Sequence, residues 1–250
     1  MNEPTLSLLA LLLATFVAAG LVKGVTGMGL PTVAMGVLGA LMTPAAAAAL
    51  LVIPAFVTNV WQLLAGPSVA ALARRLWTMM AGIVAGTVAG SAMLARVDPR
   101  WSGLALGVAL IGYAACAWAS PALSAPERAE PWLSPAVGLL TGLITGATGV
   151  FVMPAVPYLQ SLRLDKDDLV QALGLSFTVS TAALAAGLMV HGAFRAGELG
   201  LSVLAVAPAL LGMRLGQQLR ARISPALFRR CFLLFLMLLG LELVARPFLP

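Results

Sequence analysis

Charge is what this sequence has least of. Of its 250 residues only 10% are Asp, Glu, Lys or Arg, against about 25% in a soluble domain. There is one histidine, His191, and there are two cysteines, Cys116 and Cys231, both inside apolar runs. Neither has a partner at metal-ligand spacing, so no zinc site, catalytic triad or haem ligand pair can be assembled. The few acids sit mostly between apolar runs. Enzyme activity is therefore not expected, nor is a metal or other cofactor. No basic stripe is interleaved with aromatics, so the net charge of +6 reads as loop arginine that sets membrane orientation, with no nucleic-acid partner. The opening "MNEPTLSLLALLLATFVAAG" has no basic n-region of a cleaved secretory signal, and is read as part of the mature chain.

What fills the sequence instead is apolar. Hydrophobic residues make up 61%, and no charge occurs from Gly24 to Ala73, Leu76 to Ala95, Trp101 to Pro126, Pro131 to Leu162 or Leu169 to Phe194. A helix needs about 20 apolar residues to cross a bilayer core. The runs are continuous and do not alternate, which excludes a barrel. The fold class is an all-α polytopic membrane protein. Six full crossings are expected, at about 45–65, 76–95, 101–119, 169–190, 199–219 and 228–247. Trp61, Trp77, Trp101, Trp118 and Trp132 mostly flank these segments and suit interface anchoring.

Two apolar segments, 5–43 and 133–161, are interrupted by glycine. Glycine and proline cost a helix interior about 1 and about 3 kcal/mol relative to alanine. The first holds "GLVKGVTGMGLPTVAMG" (20–36) and the second "TGLITGATG" (141–149). "KGVTGMG" matches the latter with a short gap. Later, "ARVDP" (95–99) recurs as "ARISP" (221–225), 126 residues on, and at that spacing Gly86 meets Gly212 and Gly90 meets Gly216. The reading is an internal duplication: a first transmembrane repeat at 1–119, a central linker at 120–132 and a second repeat at 133–250. Each repeat is a glycine-broken helical hairpin plus three transmembrane helices.

Loop charge tests whether the broken segments cross once or return. If each crosses once, Arg96, Arg100, Arg163, Lys166, Arg220, Arg222, Arg229 and Arg230 share a side, eight against five. If each returns, Arg74, Arg75 and Arg128 join Arg163, Lys166 and the 220–230 arginines, nine against Arg96, Arg100, Arg195 and Arg246. Cytoplasmic loops collect Lys and Arg, so the hairpin count is slightly better. The arms 134–146 and 150–161 also read as too short to cross. Each repeat then has an odd number of full crossings and the second is inverted, as in many secondary transporters.

Irregular backbone inside a bilayer survives only when buried in protein or lining a wet cavity. The tips Gly27-Met28-Gly29 and Gly146-Ala147-Thr148-Gly149 are expected to meet near mid-membrane. There their free amides, at the positive ends of the following helices, suit a small oxyanion. The expected binding residues are Thr26, Gly27, Met28, Gly29, Asn59, Thr145, Gly146, Thr148, Gly149 and Thr178. Lys23 and Arg214 are read as gating or counter-charge residues; Lys23 near a helix end also suits snorkelling. Asn59 and Gln62, like Thr178, Ser180 and Thr181, equally suit interhelical hydrogen bonds. Access is expected to alternate by rocking one repeat against the other. The partners are a small anion and the lipid bilayer, and a homo-oligomer is compatible with both.

"GxxKGVTGMGLP" and "GLxTGxxTGATGVFVMP" resemble the glycine-rich signatures of the sulfite exporter TauE/SafE family, the 4-toluene sulfonate uptake permease group. "AAAAALLVIPAFVTN" after Pro44 and "GxxxGxxLxARISP" fit that family too, and the likeness spans nearly the whole chain in order. The first tip lacks the triple glycine often seen there, and the second reads "GATG" where "GxGGG" is common. The resemblance implies a secondary transporter that moves a small anion, sulfite, a sulfonate or another organic anion, across the bacterial inner membrane. The alternatives are a non-transporting membrane scaffold or a channel-like pore.

Overall fold

In the computed structural model of the chain, residues 6–119, 126–193, 196–220 and 222–248 are described. The helices are α1 (Leu6–Thr26), α2 (Leu30–Leu41), α3 (Pro44–Leu63), α4 (Val69–Arg96), α5 (Pro99–Ala119), α6 (Glu130–Thr148), α7 (Ala155–Ser161), α8 (Lys166–Val190), α9 (Ala196–Leu204), α10 (Val206–Arg220) and α11 (Pro225–Ala245). A 3₁₀ turn precedes α6 and another follows α11. No strand occurs among the described residues. Among the described residues seven spans are long and apolar enough to cross a membrane: the six expected crossings and Ser7–Thr26. The chain is a multi-pass membrane protein. Linker residues 120–125, and also Phe194, Arg195 and Ala221, lie outside the described residues.

The glycine-broken segments are less symmetric than their sequences suggest. α1 has 21 residues and is about 31 Å long, while α2 with 12 is about 18 Å. In the second segment the long arm is α6, whose 19 residues extend about 28 Å. The expectation of two short arms is thus corrected. α6 starts at Glu130 because proline is tolerated in a first turn, where the N–H lacks an intrahelical acceptor anyway; Pro131 sits there. The second arm shrinks to the seven residues of α7, preceded by irregular backbone at 149–154.

Most glycines in the opening motif do not break a helix. Gly20 and Gly24 lie inside α1 and face α10. A Cβ on Gly24 would stand 2.9 Å from both the Gln217 amide and the Gly216 Cα, and one on Gly216 3.0 Å from the Gly24 Cα. α4 and α6 meet in the same way: a Cβ on Gly142 would lie 2.9 Å from the Gly86 Cα, and one on Gly146 2.6 Å from the Gly90 carbonyl carbon. Between helices in lipid, such close backbone approach supplies the dispersion contact that the hydrophobic effect does not. The glycines matched at 126 residues, 86 with 212 and 90 with 216, therefore do the same job in two helix pairs.

These pairs are the most extensive in the molecule, and each joins a helix of the N-terminal half to one of the C-terminal half. α1 runs parallel to α10: Val17 meets Gly212, Leu21 meets Gly216, and Gly24 meets Gln217. α4 runs parallel to α6: Gly82 meets Pro135, Gly86 meets Leu139 and Gly90 meets Leu143. α5 runs antiparallel to α11, with Gly107 on Leu243, Ile111 on Gly240 and the Ala117 carbonyl on Arg229. α3 is antiparallel to α8: the Gln62 amide donates to the Val170 carbonyl at 3.0 Å, and Asn59 reaches Thr181.

α3 carries a proline in its middle. Pro54 has no N–H to give the Leu50 carbonyl. The Ser202 hydroxyl on α9 donates to that carbonyl at 2.8 Å and accepts from the Ile53 amide at 3.3 Å. The break in the α3 ladder is closed from a neighbouring helix.

Candidate functional site

Both elbows are built by the same local bonds. α1 ends at Gly27, φ 79°, whose amide donates to the Lys23 carbonyl at 2.7 Å. α6 ends at Gly149, φ 73°, whose amide donates to the Thr145 carbonyl at 2.7 Å. Positive φ is a conformation glycine adopts without a Cβ penalty. The Thr26 hydroxyl donates to the Val22 carbonyl at 2.9 Å and accepts from the Met28 amide at 3.2 Å. The Thr148 hydroxyl donates to the Ile144 carbonyl at 2.7 Å and accepts from the Val150 amide at 3.2 Å. Each of these bonds recurs 122 residues on; the 2.7 Å contact of the Thr26 hydroxyl with the Met28 carbonyl belongs to the first elbow alone among the described residues. At that spacing "GLVKGVTGM" (20–28) aligns without a gap to "GLITGATGV" (142–150), which replaces the gapped match.

The same spacing extends into the next crossing. Lys23 corresponds to Thr145, Thr58 to Ser180 and Asn59 to Thr181. Asn59 and Thr181 touch: the Asn59 amide nitrogen donates to the Thr181 hydroxyl at 3.2 Å. Thr181 in turn donates to the Phe177 carbonyl at 2.7 Å. The Phe177 ring packs on Phe151, just past the second elbow, with centroids 5.3 Å apart.

Lys23 reaches into this junction from α1. It is only 3% exposed. Its ammonium donates to the Thr58 hydroxyl at 3.2 Å and to the Asn59 side-chain carbonyl. Both acceptors are neutral, and an ammonium has three donors. Among the described residues no carboxylate pairs with Lys23, the one ion pair being Arg75 with Glu130 at 2.7 Å. Thr58 itself donates to the Pro54 carbonyl at 2.9 Å. The lysine's acceptors are thereby fixed by the turn that Pro54 opens. Nearby in sequence, Ser176 and Ser180 on α8 and Thr32 in the first turn of α2 are fully buried, and their hydroxyls have no partner.

The structure therefore brings together Lys23 and Asn59, and adds Thr58 and Thr181. It does not join the two tips. Gly29 faces Val22 and Phe232, whereas Gly149 faces Met35 of α2; Met35 is six residues from Gly29, about 9 Å along that helix. Met28 is half-buried, and its sulfur accepts from the Tyr113 hydroxyl at 3.5 Å. Thr145 and Thr178 donate to their own i−4 carbonyls, Thr141 and Gly174, at 2.7 Å. With Thr26 and Thr148 they have no hydroxyl hydrogen left for an anion. Gly27 is half-buried, with nothing within 4 Å of its Cβ position, and Gly146 is given over to the α4 contact. Arg214 is exposed and no bond of the lysine cluster reaches it. Among the described residues no three His, Cys, Asp or Glu side chains converge as metal ligands would.

Thr58 as an acceptor of the lysine, and Thr181 as the partner that holds Asn59, escaped the sequence reading. The ungapped match at 122 residues was a signal for part of this, since it pairs Asn59 with Thr181; the contact of Lys23 with Thr58 is set by the packing of α1 on α3.

Comparison with known proteins bears on what such a buried cation serves. Nothing matches the chain among curated proteins or among solved structures. The family model for sulfite exporter TauE/SafE matches residues 11–243, which takes in both elbows, the lysine junction and all but the ends of the helical array. A fit over that length shows the family: the chain belongs to the TauE/SafE sulfite exporters, a family of membrane transporters.

Proposed function

We propose that the protein is a secondary transporter of a small anion, sulfite or a sulfonate, across the bacterial inner membrane, and that Lys23 is the charge the anion binds. The carrying observation is the buried ammonium with only neutral oxygens around it. An uncompensated charge in a low-dielectric interior costs several kcal/mol, and ionisable groups in membrane spans mark substrate paths. An anion arriving at Lys23 removes that cost. Asn59, Thr58 and Thr181 hold the lysine in place, and the unpartnered hydroxyls of Thr32, Ser176 and Ser180 are the further donors.

The same reading takes the two halves, 1–119 and 133–250, as inverted repeats. Equivalent helices α3 and α8 run antiparallel, as do α5 and α11, which is what inversion requires. Contact between the equivalent residues Asn59 and Thr181 supports a pseudo-two-fold axis that passes between them, next to Lys23. The hairpin count is supported by loops that meet. Thr43, Arg100 and Arg246 line one cavity, and the Gln171 amide bonds the Leu63 and Gly66 carbonyls at 2.7 and 2.6 Å at the other end. A single crossing per broken segment would separate Arg100 from Arg246. In this reading the close glycine contacts of α1 with α10 and of α4 with α6 favour moving units that combine helices of both halves over rocking of repeat against repeat.

Uptake of labelled sulfite, methanesulfonate and a carboxylate panel into proteoliposomes tests the reading. Saturable uptake with counterflow of at least one sulfur anion is expected. Absence of flux for all of them favours the scaffold, and non-saturating flux without counterflow favours a pore.

A further inference from the structure

A second cationic feature lies away from the lysine junction. A cavity of about 370 Å³ opens where the α2–α3 turn, the start of α5 and the end of α11 come together. Among the described residues its lining includes Arg100, Arg246, Thr43 and Gly103, and no carboxylate. Arg246 is oriented by a 2.8 Å bond from its Nη1 to the Ala40 carbonyl. Among the described residues no carboxylate pairs with either arginine. The Asp98 side chain is engaged with the Arg100 backbone amide, at 2.8 Å, and does not line the cavity. Thr43 caps α3, whose N-terminal end contributes further positive potential. A volume in the range of small-ligand sites, two exposed guanidiniums and no acid in the wall make an anion site.

The cavity also has a position relative to the first elbow. Gly39 is in its wall. Along α2 from there, Leu106 covers Gly39, Leu239 and Leu110 cover Gly36, and Phe232 lies on Gly29. α2 thus runs from the cavity to the elbow beneath a cover of apolar side chains.

We propose that this cavity is a peripheral anion site, recruiting a small oxyanion, a sulfonate or phosphate-type group, at the end of α2 opposite the elbow that follows Lys23. Guanidinium pairs match such groups because their N–H forks fit two oxygens at once. The recruiting role rests on the transport reading; the binding site does not. On the loop-charge count this end is the non-cytoplasmic one. The ligand group has two sources, a free anion and the phosphodiester of an anionic lipid.

The test is equilibrium binding to purified protein carrying Lys23→Met, which removes the central charge. Methanesulfonate, inorganic phosphate and a short-chain phosphatidylglycerol are titrated separately. Saturable binding is expected to persist in that background. R100Q/R246Q should weaken it roughly tenfold, the worth of a charge-assisted hydrogen bond. G103L should do the same by filling the cavity, since a Cβ on Gly103 meets nothing within 4 Å and the fold is undisturbed. Tighter binding of methanesulfonate or phosphate assigns the site to free anions; tighter binding of the lipid, with displacement of phosphate, assigns it to headgroups. Binding that is absent, or unaffected by both sets of substitutions, overturns the site. If Lys23→Met does not accumulate, wild-type protein should show two binding steps, one lost in R100Q/R246Q; a single step unaffected by it is the overturning result. Flux that survives Lys23→Met would sink the central lysine and leave this site standing.

Discussion

Asn59→Asp places a carboxylate where the Asn59 carbonyl now accepts from Lys23. The change is isosteric, so shape and packing are preserved. Electrostatics are not: the lysine acquires a permanent counter-ion within hydrogen-bond reach. An anion about 4 Å from the ammonium gains about 4 kcal/mol at an effective dielectric of about 20, and a lysine already neutralised by its neighbour offers most of that no longer. The half-saturating concentration for anion uptake should rise roughly a thousandfold. The assay is initial-rate uptake of labelled sulfite or methanesulfonate into proteoliposomes, with insertion checked by size-exclusion profile. Asn59→Leu is the control, because it removes an acceptor without adding charge and should weaken uptake far less than the aspartate. Near-wild-type half-saturation for Asn59→Asp would refute the claim that the transported anion pairs with Lys23.

Ser202→Ala strands the Leu50 carbonyl opposite Pro54, at a cost of about 1–3 kcal/mol, which should appear as a lower thermal midpoint in detergent; an unchanged midpoint would mean water or a neighbour replaces the hydroxyl. Gly146→Leu would drive a side chain against the Gly90 and Ser91 backbone, 2.6 Å from the Cβ position, whereas at Gly112 nothing lies within 4 Å. Overpacking of that kind costs about 1–3 kcal/mol or more, so the first variant should accumulate poorly and Gly112→Leu normally. Equal accumulation of the two would contradict the α4–α6 contact. Single cysteines at positions 43, 103 and 246 should label with an impermeant maleimide from one face of the membrane, and cysteines at 68 and at the exposed position 166 from the other. Labelling of 103 and 246 from opposite faces would restore the single-crossing count.

Apolar runs with few or no charges were enough to locate all six expected crossings, because desolvating a charge in hydrocarbon is so costly that spans and loops sort themselves by composition. The pairing of Gly86 with Gly212 and Gly90 with Gly216 was legible as repetition, and its purpose, helix contact, needed three dimensions. α6 was misjudged because Pro131 was read into the linker, while in a helix's first turn proline costs little. The threonines of the tips illustrate a different limit. Sequence shows a hydroxyl but not that it is bonded to the carbonyl four residues back, as at Thr26, Thr145, Thr148 and Thr178. Arg214 sits in an apolar run, yet which helical face it occupies follows from Gly212 and Gly216 packing on α1. Lys23 was visible as an intramembrane charge; that it has no acid to pair with is knowledge only the packed helices supply.

The most direct measurement is sulfite and sulfonate counterflow in proteoliposomes carrying Lys23→Met, set beside wild-type protein at matched density. The methionine side chain keeps the length and apolar stem while deleting the ammonium. The account predicts saturable counterflow for the wild type and none above empty vesicles for the variant, with both proteins folded and inserted. Counterflow at the wild-type rate without the ammonium would contradict it.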